Sequence, residues 1–511
     1  MMKFLVIKRN YLFLLFFLLT YLSGCHITPS SKIGIFEQTI DVGDVLLKGA
    51  SHFHAKRDVY TLKGAGTNMW FDEDEFHFLW RKVDRDFVLQ TQMEWVGDGA
   101  SDLRKAGLII RENFDPGSRY VSAALHGNRL TSMQYRLVPD SATLEQTADL
   151  DFLSVLQLEK KGNLYCMKAS KPGDILQEIG NILVPFDSTE LYVGLFICSH
   201  NPEIREEVRF RNTRLTFTAP DDFVPYRDYI GSRLETVDIE SGNRLVVYQS
   251  DQSFEAPNWS KNGDFWVVNR SGKFYRIDKR QKNPKEIDTQ FAIANNNDHG
   301  ISPDGQWLAI SHHVFDRHSG QNSIIYTVPI SGGTPVQVTQ NSPSYWHGWS
   351  PDGKYLIYTG HRNNQWNIYR ISIAGGEEEP LTATPFLDDG SEYAPDGQSI
   401  WFNSNRTGRM EIWRMNADGS EQTQITHDHF QNWFPHPSPD GKSLVFLSYP
   451  EEINSWDHPY YQHAMIRLMN LETGEIRVLV NLYGGQGSLN VPSWSPDSKK
   501  IAFVSNSDLL E

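Results

Sequence analysis

An all-β chain, a β-sandwich followed by a six-bladed β-propeller, is what the sequence predicts. Three observations carry the prediction. A turn unit of the form Ser-Pro-Asp-Gly recurs six times in the second half of the chain, and the first half alternates apolar and polar residues without a fixed period. Aromatics at 12%, with 38 Gly and 25 Pro, favour strands and turns over helices. A length of 511 residues suggests two to four domains, and no long amphipathic helix follows the N-terminal segment.

That segment carries Lys3, Lys8 and Arg9, then an apolar stretch from Tyr11 to Leu22, then Leu22-Ser23-Gly24-Cys25. The pattern is that of a signal peptide over residues 1–24. Its apolar core of about 12 residues is too short to span a bilayer, which takes roughly 20. Leu-Ser-Gly-Cys resembles the bacterial lipobox, which implies lipid on Cys25, residues 25–32 as a tether, and membrane contact through the lipid anchor only. The absence of an acidic residue directly after Cys25 then implies the outer membrane. An ordinary secretory site with an incidental cysteine is the alternative. Cleavage takes the net charge from −15 to −18 by removing three basic residues, which argues against nucleic acid and anionic lipid as partners. Cys166 and Cys198 are the remaining cysteines, too few for a disulfide scaffold, and their pairing is left open.

Over residues 33–218 the alternating runs include Phe87 to Trp95, Tyr120 to Leu125, Met133 to Val138 and Val208 to Leu215, which together indicate a β-sandwich. The runs Lys105-Ala-Gly-Leu-Ile-Ile-Arg111 and Tyr192-Val-Gly-Leu-Phe196 resemble those of concanavalin-like jelly-roll domains, which implies a lectin-like fold. Ala219-Pro220-Asp221-Asp222 and Pro225 mark a linker, and residues 226–511 form the repeat.

The turn units begin at Ser260, Ser302, Ser350, Ala394, Ser438 and Ser495, with spacings of 42, 48, 44, 44 and 57 residues. Six units of that length have the size of four-stranded blades. Pro presets φ, Asp suits the next turn position, and Gly accepts the left-handed conformation, so each unit is expected to join the innermost strand of a blade to the second. Ile501 to Val504 end the last repeat after two strands, while Leu234 to Ile239 and Arg244 to Tyr248 precede the first; together they are expected to complete one blade and close the ring. Trp349-Ser-Pro-Asp-Gly353, Phe402-Asn-Ser-Asn-Arg406 with Ile412 to Gly419, and Trp494-Ser-Pro-Asp497 resemble the TolB propeller repeat. The same repeat occurs in translocation proteins, peptidase propellers and oligogalacturonate lyase, so the resemblance specifies fold more than function.

Residues just before each turn are expected to face one mouth of the central channel. Pro257, Pro435 and Pro492 are bland there; Asp298 and His299, Trp346 and His347, Asp388, Asp389 and Glu392, Trp433 and His436, and Gln486 and Asn490 are not. Three readings stay open. A divalent metal (Mn, Zn or Ni) held by His299, His347 and His436 with Glu392 or Gln486 would resemble oligogalacturonate lyase, with catalysis shared among these histidines and Glu392. Glycan binding would use Trp346, Trp433 and Tyr393 as platforms and the polar residues as hydrogen-bond partners. The third reading is a water-filled structural channel. The insertion from Tyr449 to Gln462, with Trp456, His458 and Tyr460, is expected to be a lid over the channel or a partner surface; His458 and His463 themselves are weak site candidates. No nucleophile elbow, zinc helix or phosphate loop is present. A carbohydrate-binding or carbohydrate-processing envelope protein is the favoured function, with a TolB-like scaffold for envelope proteins as an alternative.

Overall fold

Period-two alternation turns the first half of the chain into two antiparallel sheets. The structure, a computed structural model, describes residues 32–224, 227–316 and 320–509; the signal peptide and Cys25 lie outside the described residues. One sheet orders Gln38–Val42, Phe76–Val83, Leu191–Cys198, Lys105–Arg111, Tyr120–His126, Thr131–Arg136 and Leu144–Thr147. The other orders Gln177–Leu183, Leu164–Ser170, Val155–Lys161, Phe87–Val96, Glu206–Thr216, Val59–Gly64 and Ala50–His54. Leu79, Leu108 and Leu195 of the first sheet share a core with Leu62, Leu89 and Leu156 of the second, so the sheets face each other. The alternate residues Phe78, Ile109 and Phe196 point the other way and build a second core with Met69 under covering loops. Cys166 and Cys198 are free, and burial pushes both thiols up to about 11.

The second half forms six blades. Blades 1 to 5 are four-stranded and start with the innermost strands Glu255–Trp259, Asn295–Ile301, Ser344–Trp349, Asp388–Tyr393 and Gln431–Pro437. Blade 6 closes the ring as expected: Lys500–Asn506 pairs with Ser232–Asp238, which pairs with Arg244–Ser250, and Trp494 bridges Ile501 on the channel side. Each turn unit joins the first and second strands of its blade. In the Ser350 turn the Ser350 hydroxyl donates to Asp352 at 2.7 Å and accepts the Tyr355 amide at 2.9 Å, while Gly353 holds φ 71°. The same contacts recur around Ser302, Ser438 and Ser495, which explains why Ser and Asp repeat with the Pro-Gly frame.

The two halves meet through buried polar contacts. Arg214 Nε donates to Glu235 at 2.9 Å, the Phe217 amide donates to the Ser507 hydroxyl at 3.0 Å, and the Val478 amide donates to the Gly173 carbonyl at 2.7 Å. Among the described residues no helix is long and apolar enough to cross a membrane.

Adjacent blades interlock through tryptophans. The Trp346 ring, 1% exposed, lies against Gly300 of the preceding blade, where an added Cβ would sit 1.8 Å from the ring edge. Gly300→Ala is therefore expected to cost about 1–3 kcal/mol in urea unfolding. Combined with Trp346→Leu it should lose less than the sum of the two single losses; strict additivity would show that the pair does not set the blade spacing.

Candidate functional site

A cavity of about 1120 Å³ occupies the channel mouth at the entry to the innermost strands. Its shape comes from a local irregularity repeated around the ring: each of the five complete innermost strands carries a register shift, between Glu255 and Asn258, Asn295 and His299, Trp346 and Gly348, Asp389 and Glu392, and Trp433 and His436. A bulge bends its strand and re-aims the side chain beside it. Ala256, Gly390 and Phe434 take the left-handed conformation at φ 58°, 60° and 53°. For a residue as large as phenylalanine that backbone is strained, and the Phe434 amide is held by the Asn403 side-chain oxygen at 2.9 Å. Gly390 suits its position because a Cβ there would lie 2.3 Å from that same oxygen.

The bulges bring Glu255, Asp298, His347, Asp389 and Phe434 into one cavity, with Gln486 from the turn before blade 6. His347 Nε2 lies 2.8 Å from Asp389 Oδ1, off the line of a hydrogen bond, so the contact is an ion pair; His458 Nε2 approaches Asp389 Oδ2 at 3.0 Å. Burial alone would lower the His347 pKa, but the carboxylates of Asp389 and Asp298 outweigh it and raise it. Burial likewise opposes ionisation of Asp389, yet His347 and His458 hold its carboxyl well below the usual carboxylate range. Asp298 accepts from Asn490 at 2.9 Å and from Asn296 at 2.6 Å. Burial pushes its pKa up despite His347, and the nearby Asp389 adds to the rise. Glu255, which the sequence reading passed over, is pushed up to about 7 by burial and by the charge of Asp298, against a hydrogen bond to Asn297. Asp251, Glu255, Asp298 and Asp389 face Arg270 and the His347 that pairs with Asp389, so carboxyl groups outnumber cations in the wall, with Glu255 only partly ionised at neutral pH.

The remaining sequence candidates do not line this cavity. His299 is fully buried between blades 1 and 2, its Nδ1 2.8 Å from the Asn297 carbonyl oxygen and, on the blade 1 side, its Nε2 3.3 Å from the Val267 carbonyl oxygen and its ring 4.7 Å from Phe274; burial pulls its pKa down to about 4. His436 engages Glu392 at 2.5 Å and the Leu489 carbonyl oxygen at 2.7 Å, so both its ring nitrogens are occupied by contacts that tie blades 4, 5 and 6 together. The three histidines expected to share a metal therefore point to three different surroundings, and among the described residues no group of three or more His, Cys, Asp or Glu is arranged to hold a metal ion. Trp346, Tyr393 and Trp433 are buried between or within blades and offer no platform. Asp388 is fully buried and takes Arg406 at 2.7 Å within its own blade. Asn490 acts from behind, through Asp298.

The aromatic surface of the mouth comes instead from Tyr345 and Trp366, with Trp456 and Tyr460 from the insertion, while Phe434 is nearly covered. His458 of the same insertion, set aside on sequence grounds, contacts Asp389 directly.

The TolB beta propeller domain family matches residues 342–458. An uncharacterized protein of Agrobacterium fabrum is 45% identical over 274 residues, 53% of this chain and 92% of that protein. The structure of a TolB candidate from Agrobacterium tumefaciens is 43% identical, covers 55% of this chain and 100% of its own, and superposes with a TM-score of 0.52. TolB from Acinetobacter baumannii is 18% identical over 50% of this chain and 64% of its own, with a TM-score of 0.39.

A carboxyl whose pKa is raised on folding contributes stability that is fully present below its unfolded value and lost as pH rises through the folded one. For Glu255 that window runs from 4.5 to about 7. Glu255→Gln should match wild type at pH 4.5 and exceed its stability at pH 8 by about 1–3 kcal/mol in urea unfolding. Equal offsets at both pH values would mean that Glu255 is not a titrating group of the mouth.

Proposed function

Given that the chain belongs, through its C-terminal half, to the family of TolB-like six-bladed β-propellers, we propose that it is an exported envelope protein, lipid-anchored through Cys25, that binds carbohydrate at the propeller mouth. One observation carries this reading: the 1120 Å³ cavity combines exposed aromatic faces with a convergent set of hydrogen-bonding groups. Sugar C–H faces pack on rings such as Trp366 and Trp456, and hydroxyls are met by Asp298, Asp389 and Gln486. The acidic wall favours neutral or amino sugars over uronates, which it would repel. We read the two-sheet half as a concanavalin-like unit. The second core built on the outer side of its first sheet argues against an open sugar-binding face there, so the mouth is the binding element.

A specific observation favours hydrolysis as a second reading. Glu255, with a pKa of about 7, can give up or take a proton near neutrality and shares the cavity with the His347–Asp389 pair, in which Asp389 is held as a carboxylate. A metal-assisted lyase has less support, because His299 and His436 lie away from His347's cavity. A protein-binding scaffold would use the same mouth and the insertion over it.

The test is calorimetric titration of the chain with neutral, amino-sugar and uronate oligosaccharides. Binding of the first two classes is expected, weakened about tenfold or more in Trp366→Ala and Trp456→Ala. His299→Ala should leave affinity unchanged while lowering stability by about 2–4 kcal/mol. Absence of binding by every class, or equal affinity in all three variants, would exclude the mouth as a carbohydrate site.

A further inference from the structure

A second cavity, about 180 Å³, opens between the two-sheet half and blades 5 and 6. Its wall takes Lys168 and Arg214 from the two-sheet half, Arg233 and Arg244 from blade 6 and His463 from blade 5, and no aspartate or glutamate. In a chain of net charge −15, a small cavity with four cations and no facing carboxylate inverts the electrostatics of the mouth.

The charges behind this wall do not balance it. Glu235, fully buried, takes Arg214 at 2.9 Å, Arg244 at 2.7 Å and the Ser505 hydroxyl at 2.6 Å, and Asp58 takes Arg214 from the other side at 2.5 Å. Lys168 approaches Glu159 only at 4.0 Å. Arg233, 9% exposed, donates to the Leu215 carbonyl at 3.1 Å and forms no ion pair with a carboxylate among the described residues. Burial pulls its pKa down to about 10; Glu235 opposes that fall, and Arg214 and Arg244 add to it. The buried Nε of Arg244 also has no hydrogen-bond partner among the described residues. A guanidinium taken out of water without its own counter-charge is costly, and an anion in the cavity would offset that cost.

We propose that this interdomain cavity binds a small oxyanion, either free or as the terminal group of a larger ligand, with Arg233 as its principal partner. The volume holds about six waters' worth of space, at roughly 30 Å³ each, enough for one tetrahedral or carboxylate group with its nearest waters. The planar guanidinium suits two-point recognition of such a group. Because the wall is drawn from both halves of the chain, an occupied site ties the two-sheet half to blades 5 and 6. The site is separate from the mouth and does not depend on what the mouth binds.

The test is thermal unfolding of the chain beginning after the signal peptide, in increasing inorganic phosphate, sulfate or acetate, with ionic strength held constant by chloride. A saturable rise in the unfolding temperature with phosphate or sulfate is expected, and a rise with acetate alone would identify a carboxylate as the ligand group. Arg233→Met should abolish the response while keeping an unfolding temperature in chloride at or above that of wild type, since it removes an unpaired buried charge. Lys168→Met, on the opposite wall, should retain the fold and weaken the apparent affinity about tenfold. No saturable response to any of the three anions, or an undiminished response in Arg233→Met, would overturn the proposal.

Discussion

Pairing of Lys500–Asn506 with Ser232–Asp238 is the constraint on which the rest of the propeller depends. It joins residues as far apart as Ser232 and Asn506, 274 positions away in sequence, and leaves no blade to begin or end the ring. Only a closed ring brings five bulged innermost strands to one axis, and only then do Glu255, Asp298, His347, Asp389 and Phe434 meet although they come from five blades. The closing strand also carries Arg233 and Glu235, so the seam of the propeller is the surface on which the two-sheet half docks.

The two cavities of this molecule have opposite electrostatics for a shared reason. In the mouth, carboxylates are packed at close range and made tolerable by histidines and amides: Asp389 by His347 and His458, Asp298 by Asn296 and Asn490. Between the domains, arginines are packed at close range and made tolerable by the buried Glu235 and by Asp58. In each place the compensation is incomplete, seen in the raised pKa of Glu255 and in the carboxylate-free surroundings of Arg233. Stability alone would favour apolar replacements at such positions, so the incomplete balance is better understood as readiness for a ligand.

The fold was legible because its signals are local. A Ser-Pro-Asp-Gly turn is closed by the Ser350 hydroxyl and the Asp352 carboxylate within six residues, and six such turns at blade spacing leave little choice of architecture. Ring closure could be read from the two leftover strands at each end. The site was legible only in part, because a fixed offset from the turn does not survive a bulge. Asp298 faces the cavity while the next residue, His299, turns against the preceding blade, and His347 faces it while Trp346 turns away. Glu255 escaped notice beside the bland Pro257, and Phe434 beside Pro435. The length and composition of the aromatic insertion singled it out as a lid or a partner surface, but the contact of His458 with Asp389 depends on how that loop folds back. The arginine cavity left no trace in the sequence, since its walls come from strands that meet only when both halves are folded.

The central claim, a sugar site at the propeller mouth, is tested most directly by hydrogen–deuterium exchange of the chain with and without a mixture of neutral and amino-sugar oligosaccharides. The account predicts slower exchange confined to the mouth segments around Asn296–Asp298, Leu387–Gly390 and Trp456–Tyr460. Protection restricted to the two-sheet half, or no protection anywhere, would contradict it.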